Sequence, residues 1–151
     1  MIKIMFVCHG NICRSPMAEF IMKDYVKKHG QEDEFIIKSS ATSYEEIGNP
    51  VHYGTARVLD RLGINYSGKR AVKLSAEDYD KYDYFIGMDE ANRRNMKRIF
   101  NGDPQNKVSN IMDYTKNPRE VADPWYTGEF APTERDITEG VHALFEFLIK
   151  K

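Results

Sequence analysis

The first thirty residues limit most severely what this chain can become. Ile2-Lys-Ile-Met-Phe-Val7 is a short apolar run with branched side chains, of the strand type. Cys8-His-Gly-Asn-Ile-Cys-Arg-Ser-Pro16 follows, and then Met17, Phe20, Ile21 and Tyr25 recur at helical spacing until Gly30. Ser15 is placed to cap that helix, with Pro16 at its first position. A strand that hands over to a helix through one short loop does not return as a hairpin. It returns as a βαβ crossover, which builds a parallel sheet.

The rest of the chain repeats the unit. Phe35-Ile-Ile-Lys38 reads as a second strand, Ser39 to Pro50 as loop, and Val51, Thr55, Val58, Leu59 and Leu62 as a helix closed by Gly63. Ser75-Ala-Glu-Asp78 has the spacing of a capping box, Tyr84 to Met88 is a third strand, and Asp89 can cap a helix running through Phe100. Lys107 to Met112 is a weaker fourth strand. Asp113 to Pro132 holds three prolines, Gly128 and the aromatics Tyr114, Trp125, Tyr126 and Phe130, a long returning loop of the kind that is usually functional. Thr133-Glu-Arg-Asp136 then opens a closing helix with Ile137, Val141, Leu144, Phe145, Leu148 and Ile149 on one face. The expected fold is α/β, one domain over residues 1–151, a parallel sheet with helices on both faces. In such sheets ligands sit beyond the carboxyl ends of the strands, which is where the loop from Cys8 to Ser15 lies.

Composition removes several classes of function. With 41% hydrophobic and 30% charged residues the chain is neither disordered nor low-complexity. Its 22 basic and 23 acidic residues leave a net charge of −1, so no global field draws it to nucleic acid or anionic lipid. The amino-terminal apolar run, interrupted by Lys3, is too short for a signal segment or a membrane span. Two cysteines are too few for a secreted disulfide scaffold, and the expected setting is a reducing cytoplasm. Histidines 9, 29, 52 and 142 have no metal-ligand spacing, so no metal is expected.

Cys8 and Arg14 stand six positions apart, with Gly10 between them and a helix start behind. The spacing alone is weak evidence; its placement gives it force. Successive N–H groups in a curled loop converge as an anion nest at a positive helix end. Arg14 adds a planar fork suited to two phosphate oxygens. The same surroundings stabilise negative charge on the Cys8 sulfur, and a thiolate beside an oxyanion cradle fits attack on the phosphorus of a phosphate ester. The plainer alternative is a buried structural cysteine.

The segment Val7 to Pro16 resembles the signature loop of the low-molecular-weight protein tyrosine phosphatases. The resemblance continues through Ser39-Ser-Ala-Thr-Ser43, Gly48-Asn-Pro50, Glu77-Asp78, Tyr84 to Asp89 with Asn92, and Asp123-Pro124. It implies a single-domain doubly wound sheet of four parallel strands with helices on both faces and the phosphate-binding loop after the first, and a phosphotyrosine phosphatase working through a cysteinyl-phosphate intermediate without cofactors. By resemblance, Cys8 is the nucleophile, Arg14 binds the phosphate and Asp123 protonates the leaving group. His9, Gly10, Asn11, Ile12, Cys13 and Ser15 form the binding loop, with Asn11 and Ser15 holding its shape and Ser39 in the same network. Trp125 and Tyr126 either line the entrance or pack beneath the long loop. Cys13 is a small buried residue or, by resemblance, the thiol that traps an oxidised Cys8 as a disulfide. The implied partners are phosphotyrosine-containing proteins, with phosphate or other oxyanions in the loop, and the expected state is a monomer.

Two departures qualify the resemblance. Lys69 and Val72 stand where many members have histidine and arginine, so the network around Asn11 must be satisfied differently. Glu45 stands where members often carry an aromatic on the pocket wall, so either Tyr44 takes that role or the entrance is more acidic than usual. Arsenate reductases of this fold need further cysteines, and none follows Cys13. Members resembling arginine phosphatases carry threonine at the position of Ile12; the branched chain of Ile12 either narrows the mouth and suits a flat phenyl ring or packs under the loop as core. Arg93, Arg94, Lys97 and Arg98 read as a solvated helix face.

Overall fold

The alternation of β1 (Ile2–Cys8) sorts the molecule into two unequal faces. In the computed structural model, which describes residues 1–151, α1 (Arg14–Lys28) crosses over to β2 (Phe35–Ala41), which pairs parallel with β1 from Ile2↔Phe35 to Cys8↔Ala41. After α2 (Tyr53–Arg61) the chain crosses to the other side of β1 and lays down β3 (Tyr84–Gly87), α3 (Glu90–Ile99) and β4 (Val108–Asn110). A short α4 (Pro124–Thr127) and α5 (Ala131–Ile149) complete it. Strand order is β2-β1-β3-β4, all parallel, so the winding reverses between β1 and β3. A crevice opens at such a reversal, and the Cys8 loop stands at its head.

Ile4, Phe6 and Cys8 face a core of 23 buried residues that includes Met17, Ile21 and Met22 of α1 and Ile137, Val141, Leu144, Phe145 and Leu148 of α5. Met5 and Val7 face the other way, into a cluster of 7 with Leu74, Tyr79, Phe85, Val108 and Met96 of α3. At about 1.5–3 kcal/mol for each large apolar side chain fully buried, the first face supplies most of the hydrophobic stabilisation. That is the face against which α1 holds the loop. On its flank Gly54 is pressed by Phe130, whose ring would lie 2.2 Å from any added Cβ. Only a residue without a side chain lets α2 approach the start of α5 there.

The expected elements are present, with boundary shifts that have physical causes. β2 continues past Lys38 to Ala41, because Ser39 and Ser40 have β1 to pair with. The expected fourth strand stops at Asn110, where Asn110 and Asp113 close a capping box over a 3₁₀ turn, Ile111–Tyr114. Ser75 and Asp78 form the expected box, over a 3₁₀ turn rather than an α-helix. Ser15 does not cap α1; the helix starts at Arg14, which puts Pro16 third rather than first, and the Ser15 hydroxyl is taken by Cys8 and Asn11. Thr133 likewise lies inside α5 and donates to the Ala122 carbonyl, since α5 starts two residues earlier at Ala131. The expected face of α5 is buried except at its frayed end, where Ile149 is exposed.

Candidate active site

Asn11 sets the shape of the loop. It adopts the left-handed backbone conformation at φ 60°, which asparagine tolerates better than branched residues, and the turn wraps the chain around the Cys8 sulfur. That sulfur receives the N–H of Asn11 at 3.3 Å and the N–H of Ser15 at 3.4 Å, and lies 3.0 Å from the Ser15 hydroxyl. The N–H groups of Gly10, Ile12, Cys13 and Arg14 donate to no turn or loop carbonyl. They are the free donors of an anion nest at the amino end of α1.

Behind the loop lies a buried relay. The Asn11 amide donates to Ser15 Oγ at 2.8 Å and Ser39 Oγ at 2.9 Å, and its oxygen accepts the backbone N–H of Val72 at 3.1 Å. Ser39 Oγ donates to Glu19 at 2.5 Å, and Lys69 Nζ donates to the Ser39 carbonyl at 2.9 Å. Asn11 and Ser15 therefore stand beneath the pocket and not on its wall. The departures at positions 69 and 72 are accommodated: Lys69 reaches main chain, and position 72 serves through its backbone.

Arg14 is buried, with a 2% exposed surface, and is fixed on two sides. Nη1 donates to Asp89 at 2.8 Å and to the Val121 carbonyl at 2.9 Å, and Nη2 reaches Asp123 at 3.4 Å. Burial works against the guanidinium charge, but the Cys8 sulfur, Asp89 and Asp123 outweigh it and raise its pKa. Asp123 is itself held by capping α4, with its other oxygen accepting the Trp125 N–H at 3.1 Å. In the same loop burial, followed by the charges of Cys8 and Asp123, pushes the Cys13 thiol up to about 12. Cys13 is thus a neutral thiol, and both cysteines are free.

The pocket above the sulfur is lined by Cys8, His9, Gly10, Ile12, Cys13 and Arg14, with Asp123, Trp125 and Tyr126 on one wall and Glu45 and Glu46 on the other. Trp125 and Tyr126, 59% and 82% exposed, stand at the entrance and are not packed beneath the loop. Ile12 both lines the pocket and packs with Cys13, Ala71 and Phe130. Tyr44 is not on the wall; it is exposed, with Lys73 Nζ 4.7 Å above its ring. Of the two alternatives the acidic entrance holds, and Glu45 Oε2 accepts a hydrogen bond from His9 Nε2 at 3.0 Å. No group of three or more histidine, cysteine or acidic residues is arranged to hold a metal ion.

Three residues of this arrangement escaped the sequence reading. Asp89 was legible as a helix cap and as part of the resemblance but was given no role in the site, although its place after the carboxyl end of β3 pointed to the crevice. Glu19 follows Ser15 by one helical turn, so it shares that residue's face, but a lone glutamate on a helix carries no signal by itself. Glu46 gave no signal.

A cysteine sulfur held by three hydrogen-bonding groups in a nest of free N–H donors, with an arginine fork and a carboxyl group in the same pocket, defines a cysteine-dependent phosphomonoesterase on a doubly wound α/β scaffold. The model of the family described as low molecular weight phosphotyrosine protein phosphatase matches residues 3–151, and the chain belongs to that family. It is similar to the low molecular weight protein-tyrosine-phosphatase YfkJ of Bacillus subtilis, 37% identical over all of this chain and 98% of that protein. The crystal structure of YfkJ superimposes with a TM-score of 0.96 over 99% of this chain and 96% of that one. The low molecular weight protein tyrosine phosphatase SP-PTP of Streptococcus pyogenes is 39% identical, with a TM-score of 0.88 over 98% of this chain and 93% of that one. PtpA of Staphylococcus epidermidis is 34% identical over 99% of this chain and 96% of that protein.

Proposed function

We propose that the protein hydrolyses phosphotyrosine in proteins, with Cys8, Arg14 and Asp123 as its catalytic residues. The observation that carries this reading is the convergence of three hydrogen-bonding groups on the Cys8 sulfur within a loop whose other N–H groups are free. The Cys8 thiolate attacks phosphorus and the P–O bond to the ring breaks. The departing phenolate takes a proton from Asp123. A water then attacks the cysteinyl phosphate, gives its proton to the Asp123 carboxylate, and inorganic phosphate leaves as the Cys8 thiolate is restored. Arg14 and the free N–H groups bind the phosphate oxygens throughout.

His9, Gly10, Ile12 and Cys13 shape the floor and wall, Asn11 and Ser15 support them from below, and Trp125 and Tyr126 receive the ring. Ile12 on that wall favours an aryl phosphate over a guanidinium phosphate. The chain acts as one domain over residues 1–151 and as a monomer, in the cytoplasm; no helix is long and apolar enough to cross a membrane. The decisive experiment is hydrolysis of phosphotyrosine, phosphoserine and phosphoarginine peptides by the wild type and Cys8→Ser. Rapid turnover of phosphotyrosine, lost in the variant with its fold intact, is expected. Residual activity beyond a small fraction in Cys8→Ser removes that residue as nucleophile.

A further inference from the structure

β2 is the outer strand on its side of the sheet, and a second hollow wraps over its edge. Five cations line it: Lys23 from α1, Lys38 from β2, and Lys69, Arg70 and Lys73 from the segment after α2. Only two carboxylates share the hollow, Glu19 and Asp78, and both are engaged. Glu19 receives Lys23 at 2.6 Å and Ser39 at 2.5 Å, while Asp78 accepts the Ser75 N–H at 2.9 Å. Lys38, Arg70 and Lys73 belong to none of the protein's ion pairs. Lys69, with a side chain only 12% exposed, lies 3.8 Å from Glu19. Its pKa is lowered, first by burial and then by the like charges of Lys23 and Lys38, with Glu19 opposing. Positive charge is thus crowded here, in a chain whose net charge is −1.

A second observation is independent of charge. Ser40 is among the lining residues, is 1% exposed, and its hydroxyl has no hydrogen-bond partner. A buried hydroxyl without a partner carries a desolvation cost that nothing in the chain offsets. A donor of this kind in a hollow lined by ammonium and guanidinium groups has the chemistry of an oxyanion seat.

We propose that this hollow is a second anion site, separate from the Cys8 pocket, that takes a small multivalent phosphate of the inorganic phosphate and pyrophosphate kind against Ser40 and the surrounding lysines. It adjoins the relay beneath the catalytic loop through Ser39 and Lys69, which belong to both. The probe is pyrophosphate, titrated into the full chain with the Cys8 pocket held by vanadate and followed by backbone amide shifts. Saturable shifts are expected at Lys38, Ser40, Gly68, Lys69 and Lys73. The double charge reversal Lys38→Glu, Arg70→Glu should weaken binding at least tenfold, and Ser40→Ala about tenfold as a charged acceptor loses its donor. Shifts confined to residues 8–15, the same shifts from sodium chloride at matched ionic strength, or unchanged affinity in either variant overturns the proposal. Vanadate is read separately on residues 8–15. Its failure there counts against the activity reading and leaves the β2 shifts readable.

Discussion

Asp89 performs two tasks with its two oxygens, and replacing it separates them. Oδ1 accepts the Asn92 N–H at 2.8 Å and caps α3, while Oδ2 accepts Arg14 Nη1 at 2.8 Å. In Asp89→Asn the cap is best kept by leaving the carbonyl oxygen on Asn92. The amide nitrogen then faces the guanidinium, a donor against a donor. The loss is a charge-assisted hydrogen bond to a buried group, about 1.5–3 kcal/mol. Asp89→Ala loses that contact and the cap as well, the cap being worth about 1 kcal/mol, for a total of about 2.5–4 kcal/mol. The Asp89 side chain is 19% exposed and the Arg14 side chain 3%, so water relieves the arginine poorly and the upper half of each range applies. Because Arg14 is held to Asp89 and Val121 on one nitrogen, losing Asp89 lets the fork swing. A misplacement of about 1 Å costs on the order of 10²-fold. Urea unfolding should rank wild type above Asn above Ala. kcat/KM for an aryl phosphate should fall about 10- to 100-fold in both variants. Full kcat/KM in Asp89→Asn, or equal stabilities of the Asn and Ala variants, would refute the division of labour.

Three further outcomes follow from the site. Asp123→Asn should lose about 10²–10⁴ in kcat on poor phenol leaving groups and much less on activated ones; a uniform loss across the series would mean a damaged loop, with the acid elsewhere. Ile12→Thr should shift the kcat/KM ratio from phosphotyrosine toward phosphoarginine, and a wild type that already hydrolyses both equally overturns the assigned substrate class. Mild peroxide should oxidise the Cys8 thiolate to sulfenic acid, which condenses with Cys13 to a disulfide and water. Because burial pushes Cys13 up to about 12, its thiolate fraction grows about tenfold per pH unit through the neutral range. The rate of disulfide formation, read by peptide mapping after quenching, should therefore rise with pH between 7 and 9. A flat profile would mean that some other step limits it.

What the sequence disclosed and what it hid divide along a physical line. Periodicity disclosed the strands and helices because burial on one face leaves a regular trace, as in Ile137, Val141, Leu144 and Leu148. It missed the true starts of α1 and α5 because Ser15 and Thr133 have the chemistry of caps and use it on other partners. Ser15 serves the sulfur and Asn11, and Thr133 serves Ala122. Cap chemistry in a sequence marks a hydroxyl that needs a partner, and the partner is chosen by the tertiary fold. The same ambiguity hid Asp89, whose cap is real and conceals its second bond.

The departures at positions 69 and 72 show why a network can survive replacement of the side chains that usually complete it. The Asn11 oxygen needs a donor, and the Val72 backbone N–H supplies one at 3.1 Å, a group present in any residue but proline. The side chain at 72 is then free to be apolar and half exposed. Lys69 replaces a ring with a long ammonium arm, and three rotatable donors let it reach the Ser39 carbonyl while approaching Glu19. Ser39 keeps both its hydroxyl contacts, to Asn11 and to Glu19, so the hydrogen bonds that hold Ser15 against the Cys8 sulfur remain. A loop supported mainly through main-chain groups and buried hydroxyls depends on register more than on the identity of its outer neighbours. For that reason the hydrogen bonds around the Cys8 sulfur are complete in this chain although two of the expected side chains are absent.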